Sequence, residues 1–132
     1  MKTLKRQTGD KGEDEACSYL ESLGHVILER NWTASHLELD VVTLKGGELH
    51  FVEVKTRREP ITADPVVNVD AAKRKNMARA MARAAAKFLH SPRMKGLPKD
   101  LEVLFDVVTV KIGPGSKTEI AYYPQAFIPT YV

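Results

Sequence analysis

The feature that most constrains this chain is a pair of adjacent glycines, Gly46-Gly47, set between two alternating stretches at residues 37–44 and 48–55. Such a pair is favoured at the tight turn of a two-residue β-hairpin. With a two-residue turn, facing positions have numbers that sum to 93, which sets Asp40 opposite Glu53 and Glu38 opposite Lys55. Strand side chains alternate with a period of 2, so all four are predicted on one face, followed by Val42, Leu44, Leu49 and Phe51. Leu37, Leu39, Val41, Val52 and Val54 then line the opposite face. Facing Cβ atoms lie roughly 4.5–5.5 Å apart. Two carboxylates that close repel unless a cation sits between them, and their oxygens suit a hard divalent ion such as magnesium. The bland alternative is a Glu38–Lys55 cross-strand ion pair, and a one-residue slip would separate the carboxylates.

The remaining elements follow from periodicity and punctuation. Residues 10–23 read as a helix opened by Thr8 or Asp10 and closed by Gly24, and 25–31 as a strand. Residues 57–69 read as a loop. Asp70 is placed to cap a long helix that reaches about His90 and stops at Pro92. Residues 101–112 are apolar on both parities, which predicts a central strand covered on both faces. Gly113-Pro114-Gly115 turns the chain into a last strand at 118–123, and the tail from Pro124 is irregular. The order αβββαββ predicts an α/β domain with a mixed central sheet flanked by helices.

The 132 residues, 43% of them apolar, suit one domain spanning 1–132 with an adequate core. The lone Cys17 makes no internal disulfide, and no Cys-His zinc pattern is present. The opening MKTLKRQTGDKGEDE lacks the apolar stretch of a signal peptide, and no uninterrupted apolar run exceeds four residues. The expectation is a reduced, cytoplasmic protein with no membrane partner.

Charge is distributed unevenly. Residues 71–99 hold nine basic and no acidic side chains, while the other 103 residues hold 11 basic and 17 acidic ones. At 100° per residue, Lys75, Arg79, Arg83 and Lys87 form one stripe of the long helix, opposite Met77, Met81, Ala84, Ala85 and Phe88. A charged stripe is usually a solvated face, but the absence of acid points to phosphate contacts. Arg57 and Arg58, directly after the hairpin, are placed to hold a phosphate near it, and Lys73, off the stripe, can point towards the site. Glu13 shares a helix face with Ala16, Cys17 and Leu20. It either completes a capping box with Asp10 or supplies a third carboxylate to the metal. Asp106, within an apolar strand, needs a partner, and a structural hydrogen bond is expected. His25, His36, His50 and His90 show no ligand spacing, and Trp32, Tyr122, Tyr123, Phe127 and Tyr131 read as packing. No Gly-rich phosphate loop is present, which argues against a nucleoside triphosphatase.

Asp40 followed by Glu53-x-Lys55 resembles the PD-(D/E)XK nuclease signature. Over nearly the whole chain the residues resemble the YraN-like family of bacterial proteins. The matching segments are Gly12-Glu13, Ala16, Tyr19-Leu20, Arg30-Asn31, Glu38-Leu39-Asp40, Phe51-Val52-Glu53-Val54-Lys55-Thr56-Arg57, Lys73 and Phe105-Asp106-Val107-Val108. Leu37 departs from the Gly that usually precedes the family's Glu. The resemblance implies a fold similar to restriction endonucleases and archaeal Holliday junction resolvases. It implies metal-dependent hydrolysis of DNA phosphodiesters, with branched or junction DNA as a fitting substrate. Asp40 and Glu53, with the Val54 carbonyl and Glu13, would then hold Mg²⁺ or, in its place, Mn²⁺. Lys55 would position water and neutralise the phosphate, and a symmetric dimer would suit a branched duplex. The alternative is a non-cutting nucleic-acid-binding or adaptor protein that retains the nuclease fold.

Overall fold

The computed structural model describes residues 3–59 and 71–126. Thr3 opens α1, Leu4–Ser22, by accepting a hydrogen bond from the Arg6 amide at 3.1 Å. This cap starts the helix upstream of the predicted 10–23. Asp10 and Glu13 therefore fall inside α1, where no free amides remain to cap, which removes the capping-box alternative for Glu13. Three strands follow as an antiparallel meander: β1 (Val26–Ala34), β2 (Leu37–Lys45) and β3 (Glu48–Arg58). After α2 (Ala71–Leu89) come β4 (Glu102–Ile112) and β5 (Thr118–Tyr123). The sheet order is β1-β2-β3-β4-β5, with β3 and β4 parallel and every other pair antiparallel. The sheet is thus mixed, and α2 belongs to the crossover that a parallel pair requires. Asp70, Phe127 and Tyr131 lie outside the described residues, as does the side chain of Lys73. Among the described residues no helix is long and apolar enough to cross a membrane.

The two helices cover opposite faces of the sheet. Met81, Ala84, Ala85 and Phe88 of α2 bury Leu39, Leu49, Phe51, Phe105 and Val107. Ala16, Cys17 and Leu20 of α1 bury Val41, Val52, Val108, Val110 and Ile112. The strand at β4 contributes to both clusters, as its double parity predicts. Trp32 packs edge-on against Phe88 with ring centroids 5.2 Å apart. Burial also pushes the Cys17 thiol up to about 11, so it stays a thiol in the α1 core.

α1 lies tight against β3 at one point. A Cβ on Gly12 would sit 1.9 Å from Thr56 Oγ1 and 2.8 Å from its Cβ. No rotation of Thr56 relieves the second contact, so the helix must back away from the strand. Gly12→Ala should therefore destabilise the protein by about 1–3 kcal/mol, the usual range for overpacking. A fall in the urea midpoint at unchanged m-value would register it.

Asp106 is fully buried and satisfied on both oxygens. Oδ2 meets His50 Nδ1 at 2.6 Å and accepts from Tyr122 Oη at 2.6 Å; Oδ1 accepts from the Gln125 amide at 2.9 Å. His50 Nε2 faces Glu48 Oε1 at 2.9 Å. With a carboxylate at each ring nitrogen, a protonated His50 can donate from both. Burial alone would lower its pKa, but the hydrogen bond and charge of Asp106, joined by Glu48, hold it above 6.5. Burial would likewise raise Asp106, yet the bonds from His50, Tyr122 and Gln125 hold it below 3.8. His25 stacks edge-on 4.6 Å from His50, and burial and that cation lower it. The expected structural role of Asp106 is therefore met by a network that ties β3, β4 and β5 together.

Candidate functional site

Gly46 adopts φ +58°, and the β2–β3 ladder keeps the sum-of-93 register from Lys45–Glu48 to Val41–Val52. There the pairing stops. Leu37 and Leu39 join Val42 in the α2-side core, whereas Val41 joins the α1-side core. The alternation of β2 therefore reverses between Leu39 and Val41, at Asp40. β1 reverses at the same level. Trp32 packs on the α2 side, whereas Arg30 reaches α1, and Asn31 between them takes φ +51°. The pairs Arg30–Val41 and Trp32–Leu39 bracket Asn31 and Asp40 as neighbours.

This reversal corrects the expectation that Glu38, Asp40, Glu53 and Lys55 share one face. The Asp40 carboxylate enters the gap left by the ladder, where Oδ2 accepts from the Val54 amide at 2.9 Å. A strand residue's N–H and C=O point the same way, so the Val54 carbonyl faces that gap too. Asp40 and Glu38 line a cleft of about 620 Å³ under α1, together with Glu13, Asn31, Thr56, Arg58, Thr8, Lys5 and Arg6. Glu53 lines a smaller hollow of about 250 Å³ with Glu38, Met77 and Met81 on the α2 side. Lys55 Nζ lies 3.1 Å from Glu53 Oε1, in place of the expected pairing with Glu38.

Asp40 and Glu53 nevertheless act on one another. Burial and the Glu53 charge, with a further push from Glu13, drive the Asp40 pKa up to about 7 against the pull of the Val54 amide and Lys55. Glu13 is not a cap: its Oε1 accepts from Arg30 Nε at 3.1 Å and Asn31 Nδ2 at 2.7 Å. Among the described residues no group of three or more His, Cys, Asp or Glu is arranged to hold a metal. Magnesium, however, is commonly held by one or two carboxylates, with water and substrate phosphate completing its shell. Asp40 and Glu53 line different hollows, and what links them is the Glu53 charge that raises Asp40.

The basic residues fall into two groups. Arg58 lines the cleft and donates from Nε to Thr8 Oγ1 at 2.6 Å, while Arg57 is exposed at the end of β3. Lys75, Arg79, Arg83 and Lys87 are exposed on α2, across the sheet from the α1 cleft. Arg30 and Asn31, the groups that hold Glu13, carried a sequence signal only through the family resemblance. Lys5, Arg6 and Thr8 carried none as site residues, because the helix was expected to begin after them.

Residues 12–110 match the profile of a family described as "Uncharacterised protein family UPF0102". The chain belongs to the UPF0102 family. This is the YraN-like family that its motifs resembled. A UPF0102 protein of Bacteroides thetaiotaomicron is 39% identical over 123 residues, covering 93% of each chain. One from Myxococcus xanthus is 33% identical over 123 residues, covering 93% of this chain and 90% of its own. A Helicobacter pylori UPF0102 protein is 42% identical over a shorter stretch of 72 residues, 54% of this chain and 60% of its own. The UPF0102 match takes in Glu13, Asp40, Glu53, Lys55 and Arg58 together.

Proposed function

We propose that this UPF0102 protein is a metal-dependent endonuclease of the PD-(D/E)XK, restriction endonuclease-like type, a single domain over its 132 residues that cuts DNA phosphodiesters. The observation that carries the reading is the placement of Asp40 at the broken end of the β2–β3 ladder, facing a cleft and charge-coupled to Glu53. Asp40, Glu53 and the Val54 carbonyl would hold Mg²⁺ or Mn²⁺. A bound ion of this kind supplies charge stabilisation at the scissile phosphate and lowers the pKa of its water. Lys55 is tethered by Glu53 at 3.1 Å. Held in that ion pair, Lys55 would serve to position water and neutralise phosphate. Glu13, held by Arg30 and Asn31, sets the field at Asp40 from the α1 side. Branched duplex DNA suits a symmetric dimer, and a reduced cytoplasmic setting suits the free, buried Cys17.

The alternative, a binder that retains the fold, draws on one observation: Glu53 and Glu13 already have cationic partners within the chain. Incubation with single-stranded, duplex and branched DNA in Mg²⁺, Mn²⁺ or EDTA separates the two. Cleavage should require metal and fall at least about a hundredfold in Asp40→Ala and Lys55→Ala with DNA binding retained. Metal-independent binding with no cutting of any substrate would establish the binder instead.

A further inference from the structure

α1 begins with a local conflict. Its first turn carries Lys5 and Arg6 and no acidic residue, although the N-terminal end of a helix is positive and favours acid there. Residues that weaken their own element generally serve a site rather than the fold. Both line the cleft that Asp40 faces, and Arg58 lines it from β3. Among the described residues neither Lys5 nor Arg6 has an ion-pair partner, and the Thr8 hydroxyl that orients Arg58 is neutral, so it leaves that charge uncancelled. Three cations thus share one cleft with the carboxylates of Asp10, Glu13, Glu38 and Asp40, of which Glu13 is held by Arg30. The α2 stripe, the obvious phosphate contact from sequence, is separated from this cleft by the whole sheet.

We infer that Lys5, Arg6 and Arg58 form a phosphate-binding wall that holds the nucleic-acid backbone next to Asp40, in place of the α2 stripe. The inference rests on the reading of the cleft as a nucleic-acid site. It assigns backbone recognition to α1 and predicts binding that is insensitive to base sequence and steeply sensitive to salt.

Fluorescence anisotropy with a short fluorescein-labelled single-stranded DNA oligonucleotide, in EDTA to prevent cutting, tests it. Lys5→Gln/Arg6→Gln/Arg58→Gln should weaken binding by about thirtyfold or more. It should also lower the slope of log affinity against log salt by about 2, at roughly 0.7 per lost contact. Lys75→Gln/Arg79→Gln/Arg83→Gln should change affinity by less than about threefold. The exposed double variant Lys5→Gln/Arg6→Gln keeps the Arg58–Thr8 bond and should retain its unfolding midpoint while losing about tenfold in affinity, which separates lost contacts from lost fold. Unchanged affinity in the α1 variants, a larger loss in the α2 variant, or no binding by the wild type would each overturn the inference. Cleavage on the same preparations distinguishes the two claims. A wild type that cuts while the α1 variants bind normally leaves the nuclease reading standing without the wall. A wild type that binds through the wall but cuts nothing in Mg²⁺ or Mn²⁺ does the reverse.

Discussion

Asp40→Asn is expected to stabilise the protein at pH 7. Burial and the neighbouring Glu53 charge push Asp40 up to about 7, whereas in the unfolded chain it titrates near 3.8. The unfolded state therefore loses this proton first as pH rises. Folding is penalised progressively from about pH 4 to pH 7, and fully above that. Three pKa units would correspond to about 4 kcal/mol, but relaxation and water at the cleft leave an expected gain of about 1–2 kcal/mol. Asparagine keeps the shape and an oxygen for the Val54 amide. Thermal or urea unfolding at pH 7 should show the variant ahead, and the gap should close near pH 4, where wild-type Asp40 is neutral. Saturating Mg²⁺ should raise the wild-type midpoint and leave the variant's nearly unchanged, and chelation should restore the original order. A variant less stable than wild type at pH 7 would make Asp40 a plain structural acceptor.

Asp106→Ala is expected to cost about 3–5 kcal/mol, because it strands the buried His50 ring, the Tyr122 hydroxyl and the Gln125 amide. The pH profile follows from the directions of shift. His50 is raised, so its contribution is complete below pH 6.5 and is lost as pH climbs through its folded value. Asp106 is lowered, so its contribution is complete above 3.8 and is lost as pH falls through its folded value. His25 is lowered, which subtracts stability as pH drops below 6.5. Wild-type stability should therefore sag on both the alkaline and acid sides. The alkaline sag should disappear in His50→Gln, which a pH series of urea melts would show.

The elements and the hairpin register were legible because they depend on local chemistry. Gly46-Gly47 sets the turn, period-2 alternation sets the pairing, and β5 matches its predicted bounds of 118–123. The apolar face of α2 was legible for the same reason, since Met81, Ala84, Ala85 and Phe88 repeat at helical spacing. Two features were not legible. A threonine cap at position 3 outcompeted Thr8 and Asp10, and local propensity alone does not rank such caps. The face reversal at Asn31 and Asp40 joins two strands, so neither strand's pattern reveals it. Its one local trace is an asparagine, a residue that tolerates positive φ. The expected facing of Asp40 and Glu53 on one side of the sheet thus failed at this reversal, and the His50–Asp106 contact spans 56 positions that no periodicity links.

The parallel pairing of β3 with β4 has a consequence for biogenesis. Lys5, Glu13, Asp40, Glu53 and Arg58 all lie upstream of α2, so their strands and helix can assemble while translation continues. Until Glu102–Ile112 emerges, however, the β3 edge from Glu48 to Arg58 has no partner, and Leu49, Phe51 and Val52 lie along it. A nascent or truncated chain halted before that point would present a long, sticky template to its neighbours, which makes the second half of the sequence a built-in safeguard against self-association.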